Sequence, residues 1–348
     1  MSQEPQFIQG RYFGDIMAQP RALADTLAWL AAAGRREEVC RFSGARQWRR
    51  IVLTGMGSSY HTLHPLNLAL VAAGHSPVMM ETAELVHYGM ELCDEQTLVI
   101  AVSQSGSSAE MVRLLELNTR SPVLGVTNTA GSPLGRGADL VLHLQAGPEH
   151  SVSCKTYLSG MLALQWLASA MTGEDEAAAL ARLAAAPGQV AQWLEAWQAS
   201  AAQLAARLRG IRHLFLTGRG PSLASAGAGA LIIKEAARVH AEGMSSAAFR
   251  HGPMEMLGKD MLLLVFSGDA RTAPLNAALV RELAAQGRQC ELLGVDATLP
   301  ALRLPECDPQ VLPLLEILPV QMMTLALASL DGHEAGHFER VTKITDRE

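Results

Sequence analysis

Residues 103–108 read Ser-Gln-Ser-Gly-Ser-Ser, a cluster of short polar side chains suited to holding an anion. The residues before the cluster, Leu98 to Val102, are all apolar and predict a buried strand. Apolar residues from Met111 onward recur at helical spacing, so a helix is expected to begin near Ser108. The first turn of a helix presents free backbone N–H groups at the positive end of the helix dipole, where phosphate binds readily.

The predicted turn contains neither Lys nor Arg, so neutral donors would hold the anion. Helix capping by Ser107 or Ser108 is the simpler alternative, because serine is a preferred N-cap residue. A single cap does not explain four serines, a glutamine and a glycine together. We therefore interpret the segment as a phosphate-binding loop.

These residues resemble a known family. An apolar strand followed by Ser-Gln-Ser-Gly-Ser-Ser is similar to the phosphosugar-binding loop of the sugar isomerase (SIS) domain family. The strand Ile51 to Thr54, followed by Gly-Met-Gly-Ser-Ser-Tyr, resembles a second SIS loop, whose hydroxyls, here those of Ser58 and Ser59, meet the sugar. The resemblance extends from about residue 15 to residue 345, in the double-SIS arrangement of the isomerase half of glucosamine-fructose-6-phosphate synthase and its stand-alone relatives.

The turn at Gly55 and Gly57 also invites comparison with a dinucleotide-binding fingerprint. That fingerprint needs a third glycine where this chain has Tyr60. A bulky ring there obstructs close packing of the helix against the strand. The turn therefore favours sugar binding over nicotinamide or flavin binding, and no metal or organic cofactor is expected.

Strands alternate with helices along the chain, which is typical of βαβ units in a doubly wound sheet. A second strand, glycine turn and helix begins at His213 and indicates an internal duplication. The expected fold is α/β, with two SIS-type doubly wound parallel sheets in tandem, each flanked by helices. Between the two halves, residues 172–210 predict a helical connector that breaks at Pro187 and Gly188.

The predicted organisation has four parts. They are an N-terminal arm and helix (1–35), a first SIS domain with the phosphosugar loop (36–180), a helical connector with a second SIS domain (181–330) and a C-terminal closing loop (331–348). Where the second half should repeat the serine loop, it has Ser267-Gly268-Asp269. Because an aspartate repels phosphate, we expect one phosphosugar site per chain, in the first SIS domain.

Lys234 and Glu235 lie within an apolar helical run, which places a charge near a buried face, where the pKa of a carboxyl rises. Two solvated charges on an amphipathic helix are the structural alternative. Lys-Glu followed by Val-His-Ala-Glu at 239–242 resembles the SIS isomerase segment whose glutamate moves a proton between C1 and C2, and this implies that role for Glu235. The synthase also carries a lysine three residues before that glutamate, where this chain has Ile232.

His251 precedes Gly252 and Pro253, so it is expected on a turn. In SIS relatives this His-Gly-Pro segment supplies an imidazole that assists ring opening from the neighbouring subunit, and the resemblance therefore implies a homodimer. Lys343 resembles the lysine of the family's closing loop, which lies against the sugar. Ser153, in a polar turn one residue shorter than that of the family, is implied as a further sugar ligand.

The charge, cysteine content and hydropathy of the chain indicate its partners and its compartment. The net charge of −6 opposes nucleic acid or an anionic membrane as the main partner, because both require a basic surface. Five widely spaced cysteines without a C-x-x-C pair predict neither disulfides nor a zinc site, and reduced thiols indicate the cytosol. No cationic leader with an apolar core and no uninterrupted apolar run of 18 residues is present, so we expect a cytoplasmic protein.

Taken with the resemblance, these features predict an enzyme that acts on an amino or keto sugar 6-phosphate. The residues expected to hold the phosphate are Ser103, Gln104, Ser105 and Ser108, and those expected to hold the sugar hydroxyls are Ser58, Ser59 and Ser153. His251 would help to open the ring, Glu235 would transfer the proton, and Lys343 would stabilise the developing charge.

Two reactions share this proton transfer: aldose–ketose isomerisation, and release of an amine from a fructosamine 6-phosphate by a deglycase or deaminase. No glutaminase domain precedes the SIS halves, and Ser2 stands where its cysteine nucleophile would be, so the full synthase reaction is not expected. A non-catalytic phosphosugar sensor and a dinucleotide-dependent oxidoreductase are the alternatives.

Overall fold

The computed structural model of the chain describes residues 6–340 together with 342, 343 and 345. These residues form two compact units, each assembled from separated stretches. The first unit comprises 19–149, 153–187 and the described residues from 340 onward. The second unit comprises 6–18, 150–152 and 188–339.

Each unit contains a parallel β-sheet. The strands in the described residues are β1 (Arg50–Gly55), β2 (Pro77–Glu81), β3 (Thr97–Val102), β4 (Val123–Thr127), β5 (Leu140–His143), β6 (His213–Gly218), β7 (His240–Ser245), β8 (Met261–Phe266) and β9 (Cys290–Leu293). The strand order is β2-β1-β3-β4-β5 in the first unit and β7-β6-β8-β9 in the second, and every pairing is parallel. The predicted α/β fold with two doubly wound parallel sheets in tandem is confirmed.

Helices connect and cover the strands. They are α1 (Arg11–Met17), α2 (Gln19–Leu30), α3 (Arg35–Ser43), α4 (Gly57–His61), α5 (Leu63–Ala72), α6 (Thr82–Tyr88), α7 (Ala109–Leu117), α8 (Pro133–Gly137), α9 (Lys155–Met171), α10 (Glu176–Leu183), α11 (Ala185–Leu194), α12 (Trp197–Leu208), α13 (Leu223–Ile232), α14 (Ser246–Arg250), α15 (Ala273–Ala285) and α16 (Leu312–Leu330). A π-helical turn, Ile233–Ala237, continues α13.

In the first unit both faces of the sheet are buried. All six residues of β3 are buried, as its apolar sequence predicts. On one face, Val52, Val99 and Val123 pack against α6, α7 and α8. The other face is covered by α5 and α9, and α2 packs on α9. The central strands are therefore fixed from both sides, and their carboxyl ends are held in place.

The predicted break at Pro187 and Gly188 is wrong. α11 begins at Ala185 and continues through both residues, and the connector is interrupted at Ala184 instead. Pro187 is the third residue of α11, where the backbone N–H has no helical partner, so proline costs little there. Pro20 is likewise in the first turn of its helix, because α2 begins at Gln19.

In the second unit α13 lies unusually close to β6. A Cβ at Gly229 in α13 would lie 2.8 Å from the Leu216 side chain and 3.3 Å from that of Val320 in α16. Glycine therefore permits close packing of α13 between strand and helix. The opposite face of the sheet carries a core in which Phe215, Leu263 and Phe249 participate.

α16 is long and apolar enough to cross a membrane, judged by length and composition alone, and no other helix of the described residues meets that criterion. Of its most apolar stretch, 94% is buried inside the protein, which is typical of a core helix. Glu316 interrupts its apolar sequence. The Glu316 side chain is fully buried, and its Oε1 accepts a hydrogen bond from Ser222 Oγ at 2.7 Å.

Glu316 Oε2 has no hydrogen-bond partner among the described residues. Burial raises the pKa of the Glu316 carboxyl to about 7, against the hydrogen bond from Ser222 that lowers it. Unfolding exposes this carboxyl to water, where it ionises at its ordinary pKa. The folded state therefore binds a proton that the unfolded state releases between these two pKa values, and stability falls as the pH rises through that interval.

We predict that Glu316→Gln raises the free energy of unfolding at pH 8 by roughly 3 kcal/mol, because the amide carries no charge to desolvate. At pH 4.5 the two proteins should differ little, since the glutamate is then protonated when folded. Urea denaturation at both pH values measures the difference. Glu195→Gln, which changes an exposed carboxyl of the same unit, is the control and should show no such pH dependence. An equal effect of Glu316→Gln at both pH values would contradict the prediction.

Candidate functional site

The predicted phosphate loop follows β3, and the predicted sugar loop follows β1. These strands are neighbours, with Gly55 opposite Val102 at their carboxyl ends. The chain leaves β1 for α4 and α5 and leaves β3 for α7, and α5 and α7 cover different faces of the sheet. In open α/β sheets, ligands bind in the crevice that forms where strand order reverses in this way. The fold thus places both loops at the first unit's expected ligand crevice.

Gly106 determines the shape of the phosphate loop. Its φ of 63° lies in the left-handed region, and a Cβ there would lie 2.1 Å from Ser132 Oγ. Only glycine fits without moving the neighbouring segment. The Gly106 N–H donates to Ser103 Oγ at 3.1 Å, and its carbonyl accepts from the Leu134 N–H at 3.0 Å. The Ser103 hydroxyl is therefore also an acceptor inside the loop.

Several donors of the loop are not used by its own fold. The backbone N–H groups of Gln104, Ser105 and Ser108 make no hydrogen bond to the described residues, and neither do the side chains of Gln104 and Ser108. All three residues are half-buried. Ser108 is the N-cap of α7, so the helix begins where the sequence predicted. The Ser108 side chain forms no capping hydrogen bond. The loop therefore retains neutral donors beside a helix N-terminus, the chemistry that an oxyanion requires.

The C-terminal tail contacts the first unit beside this loop. The Thr345 carbonyl accepts a hydrogen bond from the Ala109 N–H, the first amide of α7, at 3.1 Å. Lys343 Nζ lies 2.8 Å from Glu149 Oε2. Glu149 was not predicted as a site residue, but it pairs with Lys343, which was.

Glu149 is a buried carboxylate with several donors. Its Oε1 accepts from the N–H groups of Cys154 and Thr156, each at 3.0 Å. Its Oε2 accepts from Thr156 Oγ1 at 2.7 Å as well as from Lys343. The Glu149 side chain is fully buried and that of Lys343 is 20% exposed. Since α9 begins at Lys155, the positive end of its dipole adds to this stabilisation of the carboxylate.

The same network includes Ser153. Its hydroxyl lies 3.0 Å from Thr156 Oγ1, so hydrogen bonds run from Ser153 through Thr156 and Glu149 to Lys343. Two predicted site residues are thus brought together by two that the sequence did not single out. A glutamate just before a long helix was a usable signal for an N-terminal carboxylate. Its pairing with a lysine 194 residues away was not.

Ser58 and Ser59 lie in α4, directly after Gly57, whose φ is 52°. Both serines are half-buried, and neither hydroxyl makes a hydrogen bond to the described residues. Beside them, burial raises the pKa of Tyr60, with a further contribution from Glu81, and burial lowers the pKa of His64. The serine hydroxyls are therefore polar groups of this turn that its own fold does not use.

Glu235 lies in the second unit, within the π-helical turn rather than in a regular helix. The predicted helical run does continue through this position, but α13 ends at Ile232 and a π-helical turn takes its place. A π turn inserts an extra residue into a helical turn and is frequent at functional sites. Lys234 is exposed, whereas Glu235 is half-buried.

The π turn is held by the segment before the tail. It ends at Arg238, whose φ of 57° is in the left-handed region, a costly conformation for a residue with a Cβ. Arg238 pairs with Glu339 at 2.7 Å and donates to the His337 carbonyl at 2.8 Å. The Gly336 N–H donates to the Ala236 carbonyl at 3.0 Å. These contacts stabilise the backbone on both sides of Glu235.

His251 also lies in the second unit, at the end of α14. Its N–H donates to the Ala248 carbonyl at 2.9 Å, and Gly252 follows with a φ of 137°. The prediction of a turn histidine before Gly-Pro is confirmed, and the side chain is exposed. Glu235 and His251 thus belong to one unit, and the other candidate residues belong to the first. Among the described residues, no group of three or more His, Cys, Asp or Glu is arranged to hold a metal ion.

The Glu149–Lys343 pair predicts a strong energetic coupling. A double-mutant cycle with Glu149→Gln and Lys343→Gln should give about 1–3 kcal/mol in urea denaturation, since removing one partner leaves the other poorly compensated. The pair Arg113 and Glu116, whose side chains are 52% and 58% exposed, is the control and should give about 0.5 kcal/mol or less. Equal coupling in the two cycles would show that the tail lysine is not held by Glu149.

Residues 45–170 and 207–296 match the SIS domain family. The isomerizing glutamine–fructose-6-phosphate aminotransferase of Pyrococcus horikoshii is 31% identical over 332 residues, which are 92% of this chain and 54% of that protein. The chain therefore spans about half the length of the curated relatives it matches.

Solved structures show the same fold. The C-terminal domain of glucosamine-fructose-6-phosphate aminotransferase from Francisella tularensis has a TM-score of 0.82 and 20% identity, covering 97% of this chain and 99% of that one. A glucosamine-6-phosphate deaminase from Thermotoga maritima has a TM-score of 0.75 and 17% identity, covering 95% and 98%. Since two stretches that together make up more than half of its length match one family, the chain belongs to the SIS domain family.

Proposed function

We propose that this protein is a phosphosugar isomerase-type enzyme that acts on an amino- or keto-hexose 6-phosphate by moving a proton between C1 and C2. The observation that carries the proposal is the loop 103–108, whose unused neutral donors lie at the strand-order reversal of the first sheet. The relative from Pyrococcus horikoshii, named for fructose 6-phosphate and for isomerisation, supports this choice of substrate class.

The loop suits a phosphate monoester. The unused amides of Gln104, Ser105 and Ser108, together with the Ser108 hydroxyl, supply hydrogen bonds without a fixed cation. Charge-assisted hydrogen bonds to an anion are stronger than neutral ones. In the proposal, Ser58, Ser59 and Ser153 hold the sugar hydroxyls, so that the phosphate fixes one end of the substrate and these serines orient the other.

In the proposed reaction His251 assists ring opening, and Glu235 then removes the proton from C2 of the open-chain aldose. The C–H electron pair forms the C1–C2 double bond of an enediol as O1 takes up a proton. Return of the proton to C1, with loss of a proton from O2, gives the ketose. Lys343 stabilises the negative charge that develops on the oxygens.

Release of an amine follows the same steps from a fructosamine 6-phosphate. Removal of a C1 proton gives an enolamine, and protonation at C2 gives an imine at C1. Water hydrolyses the imine to an aldose phosphate and a free amine. The proposal keeps both reactions and includes a homodimer in which the partner subunit contributes the imidazole. It places the protein in the cytoplasm, a reducing compartment compatible with five free cysteines.

A phosphosugar sensor is the second candidate. Ile232, which is 1% exposed, stands where the synthase segment carries a lysine. A site that lacks this lysine would retain the phosphate loop and bind the sugar without converting it. The two candidates differ in turnover and agree on binding.

We predict that Ser108→Ala weakens binding of hexose 6-phosphates by roughly tenfold to a hundredfold, the loss of one hydrogen bond to an anion. Stability should not change, because the Ser108 hydroxyl does not cap α7. Calorimetric titration with fructose 6-phosphate and glucosamine 6-phosphate, together with thermal unfolding of the free protein, measures both quantities.

The control is Asp175→Ala, which removes a true helix cap. The Asp175 carboxylate is the N-cap of α10 and accepts a hydrogen bond from the Ala178 N–H at 2.9 Å. It should cost about 1 kcal/mol of stability and leave sugar-phosphate affinity unchanged. If Ser108→Ala instead lowers stability and leaves affinity intact, the serine is a helix cap and the phosphate assignment is wrong.

We predict that Glu235→Gln lowers turnover by about 10²- to 10⁴-fold and changes substrate affinity little, because the amide keeps the shape but cannot accept the proton. Incubation with fructose 6-phosphate or glucosamine 6-phosphate in D₂O, followed by NMR, detects exchange at C1 or C2 before the product is known.

Lys234→Gln is the matched control, since it removes the exposed charge beside Glu235 and should leave exchange unchanged. Binding of the sugar phosphates without any exchange by the unaltered protein would favour the sensor over the enzyme.

A further inference from the structure

The first unit contains a cavity of about 510 Å³ at the edge of the sheet opposite to the phosphate loop. Its lining includes Arg50 and Ile51 at the start of β1 and Ser76 just before β2, together with the ends of α3, α5 and α9. The loops of the candidate sugar site follow the other ends of β1 and β3. Because β1 is six residues long, about 20 Å of strand separates the two places.

The cavity is positively charged. Arg46, Arg49 and Arg50 line it, and no carboxylate side chain is among the described residues that do so. The whole chain has a net charge of −6, so this concentration of cations runs against the average of the protein. Such a lining favours an anionic occupant.

The three guanidinium groups are held in place from outside the cavity. Arg46 Nη1 donates to the Glu95 carbonyl at 2.8 Å, and Arg50 Nη1 donates to the Leu92 carbonyl at 2.9 Å. Arg49 pairs with Asp94, which does not line the cavity. A guanidinium has five N–H donors, so each group retains donors beyond these contacts. Arginines fixed in this way lose little side-chain entropy when an anion binds.

The helix ends at the cavity do not reverse this preference. Helix C-termini attract cations through unpaired carbonyls. Here the carbonyl of Cys40 in α3 accepts from the Gly44 N–H, and that of Leu70 in α5 accepts from the His75 N–H. In α9 the Ser169 carbonyl accepts from Arg36. These three carbonyls are already used, which reduces the attraction of the helix ends for cations.

The cavity also offers a planar surface. Trp48 lines it and is half-buried, and the Arg46 guanidinium lies over the Trp48 ring at 5.0 Å from the centroid. Indole and guanidinium planes stack on aromatic ligands. A volume of about 510 Å³ is within the range of pockets that bind small organic ligands.

From these observations we propose that the cavity binds a small organic anion that joins a phosphate to a planar ring, the chemistry of a mononucleotide. The arginines bind the phosphate, and Trp48 with the Arg46 plane stacks on the ring. The site is separate from the loop 103–108 and does not depend on the reaction proposed for that loop.

The test is calorimetric titration of the full chain with three probes: AMP, ribose 5-phosphate and adenosine. AMP should bind more tightly than either probe that lacks the ring or the phosphate. Arg46→Gln and Arg49→Gln should each weaken AMP binding by at least about tenfold, the loss of a hydrogen bond to an anion. Arg41→Gln, an exposed arginine of α3 outside the lining, should have no effect. Thermal unfolding shows whether each variant is folded.

Cys40 supplies an independent measure of location. It is exposed and lines the cavity, whereas Cys93 and Cys154 are buried. AMP should slow alkylation of Cys40 by N-ethylmaleimide, followed by peptide mass spectrometry, and should leave Cys290 unchanged. This readout does not depend on any arginine variant.

Three results would overturn the proposal. They are failure of AMP to bind at millimolar concentration, AMP binding that both arginine variants leave intact, and AMP binding that fructose 6-phosphate displaces and Ser108→Ala abolishes. The last would place AMP in the phosphate loop. Failure of the sugar phosphates to bind, with AMP binding and Cys40 protection retained, would refute the proposed function and leave this inference standing.

Discussion

The strand order of the first sheet is the constraint on which the candidate site depends. β1 lies between β2 and β3, and the chain leaves β1 and β3 toward helices on different faces. Because the helices diverge where the order reverses, a ligand crevice is expected at the carboxyl ends. The loops that follow these two strands lie at that end of the sheet whatever their sequence. What the sequence adds is glycine at Gly57 and Gly106, where the backbone is left-handed, and serine beside each glycine.

In the first unit, the buried carboxylate of Glu149 determines the position of the groups around it. A fully buried carboxylate must be compensated, and it recruits the first amides of α9, the Thr156 hydroxyl and Lys343. One charge thereby fixes both the start of a helix and the position of a tail residue. Because Thr156 also contacts Ser153, hydrogen bonds connect the tail lysine with a residue of the proposed sugar site.

Local patterns were sufficient for the strands, the glycine turns and the start of α7 at Ser108, because adjacent residues decide each of them. The π turn at Glu235 was not predictable, since its residues fit an α-helix equally well and its geometry depends on contacts with Gly336 and Arg238. The break predicted at Pro187 was wrong because proline occurs both after the end of a helix and in the first turn of one, and the sequence alone does not distinguish these positions. The Glu149–Lys343 pair and the arginine cavity arise from chain segments that only folding brings together, and no local signal reports them.

The two sheets have a similar strand order, but the polar groups at the carboxyl ends of their strands differ. β6 has β7 and β8 as neighbours, as β1 has β2 and β3. In the second unit the corresponding position holds Ser222, which follows β6, donates to Glu316, and lies 3.5 Å from a Cβ placed at Gly268 after β8. An oxyanion entering there would meet Glu316 and Asp269 instead of unused amides. A carboxyl group of the protein itself thus accepts the Ser222 hydrogen bond in the second unit, and burial raises the pKa of that carboxyl to about 7.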